Sequence, residues 1–197
     1  MTRNSRNFYL LNSNLEKCRP VNYYYPSVGF PMVLSIVHYA CSPLSMTSGV
    51  LKQVAQKSAI NRIDVYNNPK LMQIFNSTLQ EFAQDPKRNS EPVWVFHGTT
   101  QEAIDKIMYE GFKVGGTEGI PVRQGRSNGA GIYTSLRSDG ALHQETKRVI
   151  LCKALKGFTS TVTTLNVPHD SVNPHGGHVF VFREPCLILP VYVIHFT

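Results

Sequence analysis

Five short runs of β-branched and aromatic residues fix most of what this chain can become after residue 90. Val93-Trp94-Val95-Phe96, Gly131-Ile132-Tyr133-Thr134, Arg148 to Leu155, His178 to Phe182 and Cys186 to Phe196 have the length and composition of strands. Gly-, Pro- and Asn-rich loops separate them, so they cannot merge into long helices. Many short strands with few helices predict an α+β fold. No internal repeat is visible.

The helical signals are few and well marked. Asn68 followed by Pro69 is a helix start, a capping side chain and then a proline where a missing N–H costs nothing. Leu71, Phe75, Leu79 and Phe82 then form one apolar stripe, broken by Asp85-Pro86-Lys87-Arg88-Asn89-Ser90. Thr99 to Glu102 spells a capping box for a second helix, with Ala103, Ile104, Ile107 and Met108 inward and Gly111 at its end. A third helical pattern covers Thr47 to Lys57, with Val50, Leu51 and Val54 on one side. Ile63 and Val65 alternate as a short strand before Asn68.

Residues 1–46 read as an N-terminal extension. They are Asn/Ser-rich, then Tyr-rich at Tyr23-Tyr24-Tyr25, and locally basic through Arg3, Arg6, Lys17 and Arg19 against Glu16. This arm is either a flexible tail or a segment that folds onto the body through its aromatics. The most apolar early stretch, Phe30 to Cys41, is 12 residues long, whereas a membrane span needs about 20. The reading is therefore no membrane and an intracellular protein, cytoplasmic or nuclear. Residues 47–197 form the remaining domain.

Charge and cysteine usage narrow the partners. Lys and Arg number 20 against 13 Asp and Glu, a net charge of +7. That surplus favours anionic partners without choosing among nucleic acid, acidic membranes and phosphate-rich small molecules. Cys18, Cys41, Cys152 and Cys186 contain no C-x-x-C pair, which fits free thiols in a reducing compartment. Cys152 and Cys186 sit in apolar runs and read as small core residues. His169, Asp170, His175 and His178 crowd one loop, but no Cys/His spacing matches a structural zinc site, so no metal is expected. The glycine clusters lack G-K-[ST], which excludes a phosphate-binding NTPase loop, and they follow no parallel-sheet pattern. His169-Asp170-Ser171 cannot form a hydrolase triad, because sequence neighbours cannot adopt that geometry.

Two motifs carry chemistry. His97-Gly98-Thr99 closes a strand just before a helix, offering a ring nitrogen, a backbone open to close approach, and a hydroxyl. Such a set can clamp a carboxamide and a ribose hydroxyl; alone it also reads as an ordinary strand-end turn. Further on, Gly129-Ala130-Gly131-Ile132-Tyr133 places small residues before a tyrosine, which lets a flat group lie on its ring.

Taken in order, a strand ending H-G-[ST], a helix ending E-G-F, a glycine-rich loop and then G-x-G-I-Y resemble the catalytic domain of the poly(ADP-ribose) polymerase superfamily. His178-Val179-Phe180-Val181-Phe182-Arg183, with Leu189-Pro190-Val191-Tyr192-Val193-Ile194, looks like that family's closing strand pair. The Arg148–Lys153 strand and the Asp170-Ser171-Val172 loop resemble chiefly its smaller, mono-ADP-ribosylating members. The resemblance covers roughly residues 57–197. It implies the ADP-ribosyltransferase fold, two packed and mainly antiparallel β-sheets with short helices around an NAD cleft. It further implies NAD as co-substrate and no metal.

Residue by residue, the resemblance assigns His97 to the 2′-hydroxyl of the nicotinamide ribose, the Gly98 backbone to the carboxamide, and the Thr99 hydroxyl to its support. Tyr133 would stack on the nicotinamide ring, with Gly131 beside it. Lys113 falls where family members often have an arginine near the adenosine end. A second aromatic is usual near positions 143 and 144, where this chain has His143 and Gln144; His143 is the stand-in. The catalytic glutamate of polymer-making members is replaced by His178, and Glu184, six residues on and followed by Pro185, does not substitute for it. The implied activity is mono-ADP-ribosyl transfer to an acceptor, a protein side chain first and a nucleic acid second, with His97, Tyr133 and His178 as the catalytic set. The alternative is a weak or inactive NAD/ADP-ribose-binding module of the same fold. An RNA 2′-phosphotransferase ranks last, because the extra arginines and histidines that grip an RNA phosphate have no equivalent here.

Overall fold

The structure is a computed structural model that describes residues 5–10, 19–24, 60–114, 128–141, 147–161 and 168–196. The expected helix over 47–57, residues 115–127 of the glycine-rich loop, and His143 lie outside these residues.

Among the described residues the chain forms ten strands, two helices and two short 3-10 turns, an α+β arrangement. In chain order these are β1 (Ser5–Leu10), β2 (Arg19–Tyr24), β3 (Ile60–Val65), α1 (Pro69–Gln84), β4 (Asn89–His97), α2 (Gln101–Glu110), β5 (Ile132–Ser135), β6 (Arg148–Gly157), β7 (Thr159–Ser160), β8 (Ser171–Val172), β9 (Val179–Phe182) and β10 (Ile188–Phe196). Hydrogen bonding joins the strands in the order β2-β1-β3-β10-β6-β4-β5-β9-β8-β7. Every pairing is antiparallel except β7 with β8. The ladder is thus one continuous sheet rather than the two sheets expected. Its continuity rests on one residue pair, Phe96 with Ser135, between β4 and β5. Residues 5–10 and 19–24 of the N-terminal extension add the two edge strands beside β3.

The core follows from strands covered on both faces. Along β6, Ile150 and Cys152 join one apolar cluster while Val149 and Leu151 join another. All four are at most 1% exposed. That two-sided burial is why the sequence here is a continuous apolar run instead of an alternation. The first cluster takes Phe75 and Phe82 from α1, Ile104 and Met108 from α2, then Phe112, Val95, Phe180 and Phe182. Leu71 and Leu79 complete the expected stripe as partly buried neighbours. The second cluster holds Ile63, Phe96, Ile194 and Phe196.

Helix ends set how α1 and α2 meet. Asn68 caps α1, its Oδ1 accepting the Leu71 N–H at 3.3 Å, and Pro69 takes the first helical position as expected. The Asn68 Nδ2 donates to the carbonyls of Tyr109 (2.8 Å) and Met108 (3.3 Å). One amide therefore satisfies the start of one helix and the end of another, where orphan donors and acceptors lie. Gly111 ends α2 at φ +91°, a conformation that favours glycine. The α2 start differs from the expected capping box: the cap is Thr100, with no side-chain capping bond, and its carbonyl accepts from Ala103 and Ile104. This places Glu102 at the second helical position instead of the third, so the reciprocal bond of a capping box cannot close.

Alternation in β3 leaves Asp64 on the face opposite Ile63, and that face is buried as well. Asp64 is 2% exposed and lies 2.9 Å from the His195 Nε2. Arg62, with its Nε 2.9 Å from the Asp64 Oδ1, completes an ionic cluster across β3 and β10.

Asn68→Ala removes the α1 cap and two bonds to the end of α2. It should lower the unfolding free energy by about 1–2 kcal/mol, read as a lower urea midpoint with an unchanged slope.

Candidate functional site

The site begins where the sheet nearly divides. β4 and β5 pair only through Phe96 and Ser135. One step further, His97 stands where the ladder would place Thr134 opposite it. The gap is bridged by a side chain: the His97 Nδ1 lies 2.8 Å from the Tyr133 carbonyl oxygen. A carbonyl only accepts, so the proton sits on Nδ1 and Nε2 of the neutral ring keeps its lone pair. Burial pushes the His97 pKa below the usual imidazole value, partly offset by the bond to Tyr133. The ring is therefore neutral at pH 7, an acceptor at Nε2. The Phe112 ring meets the imidazole edge-on, with centroids 4.9 Å apart and planes at 84°. Phe112 directly follows Gly111, so the end of α2 places the wall of the His97 site.

Tyr133 is held at both ends. Its carbonyl carries the His97 bond, and its phenol donates to the Gly129 carbonyl at 2.8 Å. Burial pushes the phenol pKa up, while Arg183 nearby pulls the other way. Gly129 has φ +78°. Gly131 is fixed by packing: a Cβ there would come 2.4 Å from the Val181 Cγ1 and 2.8 Å from the Phe182 carbonyl oxygen. The small residues before Tyr133 thus let the turn lie close against β9.

Gly98 has a similar reason. A Cβ at this position would lie 1.8 Å from the Ala141 carbonyl oxygen, so one side of the Gly98 backbone is packed against the turn at 138–141. That turn is closed by the Ala141 N–H bonding to the Ser138 carbonyl at 3.1 Å. Against the same turn lies His178, an exposed residue whose ring is 3.2 Å from where a Gly140 Cβ would stand. The His178 carbonyl accepts the Leu136 N–H at 2.8 Å. The structure therefore joins His97 to Tyr133 directly, and gathers Gly98 and His178 around one turn. Thr99 is half-buried at the strand-to-helix junction. Lys113 is exposed, with its Nζ 3.2 Å from the Glu110 carboxylate at the end of α2.

Other expected features find ordinary partners. Cys152 is buried and its thiol pKa is pushed well up; Cys186 is half-buried and shifted the same way. Neither is an activated nucleophile. In the histidine-rich loop, His169 accepts from the Arg183 Nε at 3.0 Å, and Asp170 pairs with Arg88 at 3.2 Å. Sequence reasoning missed Arg183, whose guanidinium touches the turn before Tyr133. Only the pairing of β5 with β9 brings it there; a lone arginine after a strand carries no such signal.

No protein-family model matches the chain, and no curated protein matches its sequence.

Two outcomes test this geometry. Gly98→Ala should lose roughly 3 kcal/mol or more of stability, because the new methyl group meets backbone that cannot rotate away; equilibrium unfolding measures it. For His97, a folded-state pKa below the unfolded value of about 6.5 means the unfolded chain binds the proton more readily. Stability should be full above that pH, fall as the pH drops through it, and level off below the depressed folded value. His97→Gln should flatten this part of the stability–pH curve.

Proposed function

We propose that the chain is an NAD-dependent mono-ADP-ribosyltransferase of the ADP-ribosyltransferase fold, moving ADP-ribose from NAD to an acceptor, most plainly a protein side chain, and releasing nicotinamide. The observation that carries this reading is the neutral His97, tied through Nδ1 to the Tyr133 backbone at the fork between β4 and β5. It joins in space the two motifs, H-G-T and G-A-G-I-Y, that the sequence holds 30 residues or more apart.

The chemistry follows from these groups. Beyond Phe96 the β4 edge is free of ladder pairing to β5, so the peptide groups about Gly98 can accept a planar group bearing one donor and one acceptor. A carboxamide has that pattern and docks as a further strand would. The Tyr133 ring, steadied through its phenol, offers an aromatic face for the attached pyridinium. The His97 Nε2 accepts a hydrogen bond from the ribose 2′-hydroxyl and fixes the sugar. With both ends of the nicotinamide riboside held, the glycosidic C–N bond breaks heterolytically. The electron pair goes to the pyridinium nitrogen, which leaves as neutral nicotinamide, and the acceptor's lone pair forms the new bond to the anomeric carbon. The acceptor's proton passes to solvent. Positioning supplies most of the rate, because the leaving group is already good.

His178 limits the outcome. An imidazole can bind a hydroxyl but cannot provide a carboxylate's charge to the developing oxocarbenium ion or to an incoming ribose hydroxyl. Single-unit transfer follows, not chain growth. The same substitution supports the second reading, a module that holds NAD or ADP-ribose without transferring it.

Incubation with labelled NAD and a lysate separates these readings. Single ADP-ribose units on protein, with free nicotinamide, establish transfer; a rise in melting temperature with NAD but neither product establishes binding alone. His97→Ala and Tyr133→Ala should each lower turnover by about a hundredfold, and His178→Glu should add hydrolysis or short-chain extension. Wild-type transfer by both alanine variants would place the site elsewhere.

A further inference from the structure

We propose that Arg183 is a positioning residue for Tyr133, acting through the turn at 128–130; its bearing on NAD rests on the transferase reading above. Arg183 follows β9, and its backbone N–H is fixed to the Asp170 carbonyl at 3.0 Å. Its guanidinium spreads three donors over three acceptors. Nη1 donates to the Ala130 carbonyl, Nη2 to the Asn128 carbonyl at 3.1 Å, and Nε to the His169 Nε2 at 3.0 Å. Between the two bonded carbonyls lies Gly129, at φ +78°, and a Cβ on it would stand 3.3 Å from the same Nη1. The Gly129 carbonyl is the acceptor of the Tyr133 phenol.

The three consecutive carbonyls of 128–130 are thus divided between two side chains. Arg183 takes the outer pair and Tyr133 the middle one. A planar guanidinium with fixed donor directions sets both outer peptides at once, and so sets where the middle carbonyl points. The phenol follows that carbonyl, and the ring follows the phenol. Arg183 directly follows β9, two residues from Val181, the partner of Tyr133 in the β5–β9 ladder. The ring is therefore fixed from its own neighbouring strand and not from the helices. His169 completes the arrangement by accepting at Nε2, which requires its neutral form with the proton on Nδ1.

A lysine at this position keeps the charge but is a point donor that cannot align two carbonyls and an imidazole together. The test uses the full chain with Arg183→Lys, Arg183→Gln and Tyr133→Phe. NMR of the ligand-free protein reads the Tyr133 ring signals, assigned by their loss in Tyr133→Phe, and nicotinamide release is followed against NAD concentration. In both Arg183 variants the Tyr133 signals should shift or broaden. KM for NAD should rise about tenfold with kcat within about twofold, the pattern of lost ground-state positioning. Unchanged Tyr133 signals in a folded Arg183→Lys protein overturn the proposal. So does a lowered melting temperature with an unchanged KM, which marks a merely structural arginine. If the wild-type protein releases no nicotinamide, the transferase reading falls, and the ligand-free Tyr133 signals alone decide the role of Arg183.

Discussion

The single residue pair between β4 and β5 is the constraint on which the rest of the site depends. β4 is nine residues long and is zipped to β6 along most of its length, down to His97 with Ile150. On its other edge it meets β5 only through Phe96 and Ser135. Backbone groups left in such a fork need partners, because an unpaired buried peptide group costs about as much as a lost hydrogen bond. The His97 imidazole serves the Tyr133 carbonyl, and the chain on either side is kept apart by packing. Gly98 lies against Ala141 and Gly131 lies against Val181, contacts that a side chain at either glycine would abolish. The fork is therefore built by close backbone approach at its flanks and wedged open by a histidine.

Support for that wedge comes from farther away than the motif itself. Asn68 binds the start of α1 to the end of α2. The end of α2 then turns at Gly111, where a Cβ would come 3.0 Å from the Leu71 side chain of α1. Phe112 follows at once and sets its ring edge against His97. A change in how the two helices meet would reach the imidazole through one aromatic contact. Farther along the sheet the cluster of Arg62, Asp64 and His195 ties β3 to β10. Its charged groups are matched locally, which is what makes a buried carboxylate tolerable in a sheet face.

What the sequence made legible was whatever depends on neighbours in the chain. Asn68-Pro69, the stripe from Leu71 to Phe82, the stop at Gly111 and the strand character of 148–155 all express local rules, and the structure follows them. The α2 cap moved by one residue because the Thr100 carbonyl captures the first helical bonds, a competition between adjacent threonines that composition cannot rank. The count of sheets turned on one backbone pair, a distinction no hydrophobic pattern encodes. Gly98 and Gly131 were read for closeness to a ligand; tertiary packing supplies a reason of its own. Arg183 and Asp64 became visible only after distant strands were brought into register, since each meets partners more than fifty residues away in the chain.

Under the proposed reading, the arrangement also separates two tasks that a transferase must combine. His97 and Tyr133 touch each other at the fork, and their supports converge from α2, β5 and β9. His178 stands beside the turn at 138–141, exposed, with its ring next to Gly140 and its carbonyl accepting the Leu136 N–H. The hydrogen bonds His97 makes to the Tyr133 carbonyl and Tyr133 to the Gly129 carbonyl do not pass through residue 178. Under the proposed reading, capture of the nicotinamide riboside and treatment of the acceptor are thus physically independent. A chain can give up the negative charge that favours an incoming sugar hydroxyl while keeping the whole apparatus that holds NAD. Nucleophilicity must then come from the acceptor itself, which favours acceptors that are already good nucleophiles at neutral pH over a ribose hydroxyl that would need a base.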